Sequence, residues 1–270
     1  MAPLEVSPTE KRERIEKIAA TPEDRMLLAK VYDKISAGIR REIPAHSCFL
    51  SQREQELAKR LFPGETGLLF FGGYGDAQRK MLCYLPEYME EDFLLEEGGP
   101  VVYVRGAFFE GDSLTHRDIL GSLMGAGVAR EAVGDISVEV GKCHFFVTEE
   151  IAPFVISSLV SAGRTHLHLT AMAPKEAEIP KPKTVEIKDT LASLRLDGVI
   201  SSGFRVSRGQ AAQAVQGGRV TVNGIPTMKA DKPIEPGDEI ALRGMGKIRL
   251  AEIGSMSKKG RTFVTIEKFV

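Results

Sequence analysis

The sequence predicts an α+β protein made of three parts, and three patterns support that prediction. The first part has apolar residues at helical spacing followed by two short apolar strands, and the middle part alternates strands with helices. The last part carries a net positive charge that the rest of the chain lacks. The predicted boundaries are 1–95 for the first part, 96–173 for the second, 174–188 for a linker and 189–270 for the last.

Helices are predicted over much of residues 8–61. Thr21 is placed to cap a helix whose apolar residues recur at helical spacing, and Ser51 with Glu54 fits a capping box at the start of another. The following segment GLLFFGGYGDAQRKMLCYLP indicates a β-hairpin. Its loop GGYGDAQRK lacks the spacing of the common nucleotide-binding glycine motifs, so a turn is the better interpretation.

The middle part follows the order β-α-β-β-α-β, which is typical of a ferredoxin-like or RRM-like domain. The predicted elements, in chain order, are VVYVRGAF, LTHRDILGSLMGAG, DISVEV, CHFFVTEE, APFVISSLVSAG and THLHLTAM. A sheet of this kind can bind RNA through exposed aromatic residues. Phe145 and Phe146 fit that motif only loosely, and core packing is the favoured interpretation. The segment APKEAEIPKPKTVEIKD, rich in Pro and Lys, predicts the linker.

The stretch VSRGQAAQAVQGGRVTVNG predicts a short helix followed by a strand and a turn. Ser207 and Gln210 form a capping box, and Gly217 with Gly218 ends the helix. Arg208 stands in the first turn, where a cation opposes the helix dipole. A helix start with added positive charge suits a phosphate, whereas the alternative is a solvated arginine, and the stretch alone leaves both open.

Charge is divided unevenly along the chain. The whole sequence has 36 Lys and Arg against 37 Asp and Glu, a net charge of −1. Residues 189–270 contain 13 basic and 8 acidic residues, a net charge of +5, and the remainder carries −6. A basic module on an acidic body indicates a polyanionic partner for that module alone.

The basic module contains a recognisable set of motifs. A helical pattern is predicted through LASLRLDGVISSGF, with Leu191, Leu194 and Leu196 as its apolar residues, and IEPGDEIALRGMGK predicts a late strand. The segments Arg195-Leu196-Asp197, Ser207-Arg208, Val222-Asn223-Gly224 and Gly237-Asp238 together resemble the RNA-binding domain named after ribosomal protein S-four, the S4 domain.

The rest of the chain resembles one group of proteins that end in this domain. FLSQREQELAKR, FFGGYGDAQRK and LTHRDILGSLMGAGVAREAVGDI are similar to the signatures of the YlmH-type bacterial proteins. The resemblance covers nearly the whole chain and implies binding to RNA or to the ribosome. Some members carry a cell-division label drawn from gene neighbourhood.

The expected partner is structured ribosomal RNA or tRNA, bound through backbone shape more than base sequence. The predicted contacts in the basic module are Arg195, Arg205, Ser207, Arg208, Gln210, Arg219, Asn223, Lys229, Arg243 and Lys247. A second contact is assigned to His116 and Arg117 at a predicted helix start capped by Thr115. The alternative is that Arg117 pairs with a carboxylate such as Glu110 or Asp112.

No catalytic residue, cofactor or metal site is predicted. Asp197 of the RLD motif is expected to order the helix pair by hydrogen bonding rather than to act as a catalytic aspartate. His166 and His168 lack a third ligand nearby, and SMSKKG lacks the partner motif of a tRNA synthetase. Three scattered cysteines, no apolar run long enough for a bilayer and no secretory signal make the cytoplasm the expected compartment.

Two rival functions stay open. The chain could be an RNA-modifying enzyme whose catalytic site lies in the middle part, or an adaptor whose middle part binds a protein while RNA only localises it.

Overall fold

The computed structural model describes residues 8–96, 98–180, 183–258 and 260–269, and it is a mixed α/β structure with antiparallel sheets. The chain divides into two compact units, Met1–Pro180 and Lys181–Val270. Throughout the described ranges, no helix combines the length and the apolar character needed to cross a membrane.

The first unit begins with helices and a small sheet. Its elements are α1 (Pro8–Ile18), α2 (Pro22–Arg41), β1 (Ala45–His46), α3 (Gln52–Ala58), β2 (Leu68–Phe71) and β3 (Met81–Tyr84). The N-cap predicted at Thr21 and the capping box predicted at Ser51 both form, since each hydroxyl accepts a backbone amide three residues later. The predicted hairpin is β2 paired with β3, and β1 joins it on the other side of β3.

The same unit continues with a four-stranded sheet and two helices. The elements are β4 (Val101–Ala107), α4 (His116–Gly125), β5 (Val133–Glu139), β6 (Lys142–Thr148), α5 (Ala152–Ser158), β7 (Ser161–Ala162), β8 (Thr165–His166) and β9 (His168–Met172). The strand order is β5-β6-β4-β9, with every neighbouring pair antiparallel.

Both faces of this sheet are covered, because successive side chains of a strand point to opposite faces. Phe145 packs with the residues of α4 and α5, whereas Phe146 and Tyr103 pack against Phe49 and Met81 of the preceding segment. Phe145 and Phe146 are fully buried, which confirms the core-packing interpretation. Residues before and after the predicted boundary at 95/96 therefore share one core.

Two predicted elements of the middle part are interrupted. The helix predicted through APFVISSLVSAG ends at Ser158, and the last residues of that stretch form β7. The strand predicted through THLHLTAM splits at Leu167, because β8 pairs with β7 whereas β9 pairs with β4. Gly163, at φ +58°, takes the left-handed conformation that the turn between β7 and β8 requires.

In the second unit, two helices pack on a six-stranded sheet. Its elements are β10 (Thr184–Leu191), α6 (Leu196–Phe204), α7 (Arg208–Gln216), β11 (Val220–Val222), β12 (Ile225–Pro226), β13 (Glu239–Leu242), β14 (Gly246–Met256) and β15 (Thr262–Phe269). The strand order is β10-β15-β14-β13-β11-β12. Apolar residues of both helices, such as Ile200 and Val215, pack on sheet residues such as Ile248 and Ile266.

The beginning of this unit differs from the prediction. Residues 184–188, assigned to the linker, are part of β10, and β10 pairs with β15 along its whole length. Leu191 is the last residue of that strand, so the helix predicted to include it begins only at Leu196. The pairing partner lies more than 70 residues along the chain at every position, beyond the reach of local sequence patterns.

Candidate nucleic-acid interface

The carboxylate of Asp197 joins the starts of α6 and α7. It accepts hydrogen bonds from Nη2 of Arg208 at 3.1 Å and from Nη2 of Arg195 at 3.2 Å. The side chain of Asp197 is 11% exposed, whereas those of Arg195 and Arg208 are 46% and 55% exposed. The predicted ordering of the helix pair by Asp197 is confirmed.

The α6 backbone leaves this carboxylate free for the arginines. The amide of Leu196 donates to the carbonyl of Lys232 at 2.8 Å, and that of Asp197 donates to Ala230 at 2.9 Å. The first amides of α6 are thus satisfied by a loop, not by the Asp197 side chain. Burial opposes ionisation of this carboxyl, but the hydrogen bonds from Arg208 and Arg195 outweigh it and lower its pKa.

The start of α7 presents backbone donors beside Arg208. Ser207 Oγ accepts the Gln210 amide at 3.2 Å, and Gln210 Oε1 accepts the Ser207 amide at 2.9 Å, so both predicted side chains serve as the helix cap. Within the described ranges, the amides of Arg208 and Gly209 have no hydrogen-bond acceptor. Two open amides and a half-exposed guanidinium therefore meet at one helix end, an arrangement that suits a phosphate.

The other predicted contacts divide into two groups. Four are exposed cations: Arg205 follows α6 directly, Lys229 lies in the loop that caps α6, and Arg219 contacts Arg243 at the other end of α7. Arg219 donates to the Arg243 carbonyl at 3.0 Å, so these two arginines contact each other and do not share the Asp197 carboxylate.

Asn223 and Lys247 are engaged inside the unit. Asn223 donates to Asp238 at 2.7 Å and accepts the Glu239 amide at 2.9 Å, which holds the turn after β11. Lys247 pairs at 2.7 Å with the buried carboxylate of Glu239 and lies over the Phe269 ring. These contacts give both residues a role in holding the sheet together.

The motifs do not point to Arg261, which the structure places near Arg208. It lies in the turn between β14 and β15, and its Nε donates to Thr190 Oγ1 at 3.0 Å. Arg205, Arg208 and Arg261 line the same groove. The basic run KKGR before β15 is the only signal in the sequence, and it does not indicate which strand end Arg261 would contact.

His116 and Arg117 begin α4, as predicted, and both are exposed. Asp118 accepts hydrogen bonds from the Thr115 amide at 2.8 Å and from its hydroxyl at 2.7 Å, which lowers the Asp118 pKa. In the described part of the chain, Arg117 forms no ion pair, so the alternative pairing with Glu110 or Asp112 is absent there. Partial burial and the nearby positive charge of Arg130 lower the pKa of His116.

Two half-buried arginines close to this helix start were not found from the sequence. Arg79 donates to the carbonyls of Val133 at 3.0 Å and Phe49 at 2.9 Å, and Arg130 also donates to Val133. Burial, together with the charge of Arg79, lowers the pKa of Arg130 to about 10. Neither guanidinium lies within ion-pair distance of a carboxylate in the described residues, and this leaves positive charge beside His116.

The GGYGDAQRK loop is fixed by Asp135 of β5. Its carboxylate accepts the Tyr74 hydroxyl at 2.9 Å and the amides of Gln78 and Arg79 at 2.6 and 3.0 Å. The loop joins β2 to β3, as the turn interpretation expected. Because these three donors of the loop bind Asp135, we assign them to the packing of the first unit.

Other features of the first unit do not resemble a phosphate site. A groove of about 820 Å³ is lined by Glu42, Glu65, Glu87 and Glu91 and by no lysine or arginine among the described residues. His166 and His168 are exposed and belong to different strands, β8 and β9. No group of three or more His, Cys, Asp or Glu side chains placed to hold a metal occurs in the described ranges.

The two matching family models fall in different units of the chain. The family model described as "Putative RNA-binding domain in YlmH" matches residues 109–176, and the model of the S4 domain matches residues 194–240. The ribosome-associated protein quality control protein P2 of Bacillus subtilis (strain 168) is 35% identical over 225 residues, which cover 82% of this chain and 85% of that protein. A solved structure, the cell division protein ylmH from Streptococcus pneumoniae, shares 21% identity and covers 60% of this chain and 98% of its own, with a TM-score of 0.47. The chain belongs to the YlmH-type family and carries an S4 domain in its C-terminal unit.

Proposed function

We propose that this chain is a non-catalytic RNA-binding protein of the cytoplasm that binds structured ribosomal RNA or tRNA on the ribosome. The observation that carries the proposal is the pairing of Arg195 and Arg208 on Asp197, which holds two half-exposed guanidinium groups on one carboxylate between the starts of α6 and α7. The first two amides of α7, those of Arg208 and Gly209, have no acceptor among the described residues. The name of the Bacillus subtilis relative, which describes that protein as ribosome-associated, supports the ribosome as the setting.

The proposed contact reads the RNA backbone. Arginine matches phosphate with a rigid fork of donors, and the net charge of +5 in residues 189–270 favours a polyanion over a neutral ligand. Asp197 holds both guanidinium groups in place before RNA arrives, so less side-chain entropy is lost on binding. Such contacts set the position and orientation of RNA and carry little base information.

A second contact is proposed on the first unit, at the start of α4. Arg117 is exposed and unpaired in the described residues, and Arg130 adds positive charge nearby. We also assign the β4–β9 region to the ferredoxin-like class, which the strand order β5-β6-β4-β9 supports. Because both sheet faces are covered, RNA would approach a helix and not the aromatic face that RRM domains use.

The test compares the full-length chain with the variant Arg195→Gln/Arg208→Gln in binding to purified ribosomal subunits and to bulk tRNA. A matched control is Lys188→Gln/Lys232→Gln, which removes the same charge from the same unit. We expect the arginine variant to bind at least tenfold more weakly than the control, because two positioned phosphate contacts are lost. Equal binding by both variants would contradict the proposed site.

The same samples separate the rival functions. An RNA-modifying enzyme would leave a modified nucleotide in the bound RNA, and that product would refute the non-catalytic proposal. An adaptor would retain a protein partner after RNA is digested. We expect no modified nucleotide and no retained protein partner. We expect the bound RNA to crosslink to the C-terminal unit.

A further inference from the structure

A groove in the C-terminal unit lies beside Arg208 and has a volume of about 310 Å³. Its lining comes from the end of β10, the loop before α6, α6 itself, the start of α7 and the turn before β15. Among the described residues, three arginines and one carboxylate line it: Arg205, Arg208, Arg261 and Asp189. The lining thus has a net positive charge of two.

The groove has the wrong chemistry for an apolar small molecule. Small-molecule sites are mostly apolar, whereas this lining is dominated by arginine and serine side chains. Its positive charge and planar donors suit a phosphate, which guanidinium groups bind through paired hydrogen bonds. Arg208 lines the groove, and its own backbone amide is one of the two open amides of α7. A phosphate in the groove would therefore belong to the same RNA as a phosphate bound at the start of α7.

Arg261 is held in position from outside the segment that matches the S4 domain, residues 194–240. Its Nε donates to Thr190 Oγ1 at 3.0 Å, and its Nη2 donates to the Thr190 carbonyl. These bonds fix the side chain at the end of β10 and leave other guanidinium donors for a ligand.

Arg205 reaches the groove from the end of α6. It takes the left-handed conformation at φ 54° that ends the helix, and its side chain has no partner in the described residues. Asp189 is the opposing charge, but its carboxylate already accepts the Thr190 amide and the Ser202 hydroxyl, both at 2.7 Å. An anion in the groove could therefore bind Arg205, which is unpaired in the described residues, and Arg261, which is anchored to Thr190.

We propose that this groove binds a second backbone phosphate of the RNA whose first phosphate lies at Arg208, and that Arg205 and Arg261 bind that second phosphate. The inference rests on the proposed function and deepens it: the β14–β15 turn, beyond the S4 match, belongs to the RNA interface.

The test uses the full-length chain with purified ribosomal subunits and bulk tRNA as probes, in salt titrations. Arg205→Gln and Arg261→Gln should each weaken binding about five- to tenfold at 0.1 M salt and lower the slope of log affinity against log salt by about 0.7 to 0.9. Lys188→Gln, an exposed cation outside the groove lining, is the charge-matched control and should change affinity less than twofold. Thermal melts check that each variant is folded.

Asp189→Asn gives a prediction of opposite sign. Removing the charge of Asp189, the one carboxylate among the described lining residues, should tighten binding several-fold, because that charge no longer repels a phosphate there. Arg205→Gln removes no hydrogen bond or ion pair among the described residues, so weaker binding by this variant cannot come from a lost internal pairing.

The outcomes separate this inference from the proposed function. If the wild-type chain binds RNA and both groove variants match Lys188→Gln, the groove inference is wrong while the proposed function stands. If the wild-type chain binds neither ribosomal subunits nor tRNA, both are wrong. Weaker binding by Arg205→Gln and Arg261→Gln with tighter binding by Asp189→Asn is the expected result.

Discussion

Replacing Arg208 with alanine should change both folding and RNA binding. Its guanidinium pairs with Asp197 at 3.1 Å but is 55% exposed, so solvent screens the pair and its contribution falls toward that of a surface ion pair. Arg195 continues to pair with Asp197 in the variant, so no buried charge is left alone. We expect a loss of about 0.5 to 1 kcal/mol in the free energy of unfolding.

The same substitution has a calculable effect on affinity. One lost phosphate contact should lower affinity about eightfold at 0.1 M salt and lower the salt slope by about 0.7 to 0.9. The stability loss should lower the melting temperature of the 90-residue unit by about 2 to 8 °C. A cation at a helix start opposes the helix dipole, so its removal alone would be neutral or slightly stabilising. The pair with Asp197 makes the expected change destabilising instead.

Salt titrations and thermal melts of the two proteins provide the measurement. An unchanged melting temperature would show that the Asp197 pair adds nothing to stability. An unchanged affinity with a normal salt slope would place Arg208 on the solvated surface and refute the phosphate contact. A control at Gln213, exposed on the same helix, should leave both quantities unaltered when replaced with alanine.

Two further predictions concern the first unit. Asp24 pairs with Arg53 at 2.7 Å, which lowers its pKa to about 2. Asp24→Asn should therefore cost about 1 to 2 kcal/mol at pH 7, and urea unfolding should show this difference disappearing as pH falls from about 4 to 2. Gly73 has φ +97°, and an added Cβ would lie 2.3 Å from the Phe146 ring. Gly73→Ala should cost about 2 to 4 kcal/mol, whereas Gly75→Ala, with open space around it, should be near neutral in the same assay.

Features set by neighbouring residues could be predicted from the sequence. The N-cap predicted at Thr21 and the capping boxes predicted at Ser51 and Ser207 depend on residues three apart, and all three form. The ordering of the helix pair by Asp197 could also be predicted, because Asp197 and Arg208 both belong to motifs of the S4 domain with characteristic spacing. Hairpins were equally accessible, since β2 and β3 are joined by a short loop.

Features that join distant residues could not be predicted. Arg261 contacts Thr190, 71 residues away, and this contact exists only because β10 pairs with β15. Arg79 and Arg130 bind backbone carbonyls, which have no sequence signature at all. Polar residues with long-range partners are therefore the part of the candidate site that needed the structure.

The pairing of the first and last strands of the second unit also bears on how this protein folds as it is made. β10 begins that unit, and each of its residues pairs with a residue of β15 that is synthesised more than 70 residues later. Contacts between residues so far apart raise the contact order and slow folding. We expect this pairing to be the slow step in the folding of the second unit, so that the Arg261 groove forms only once β15 has been synthesised and has paired with β10.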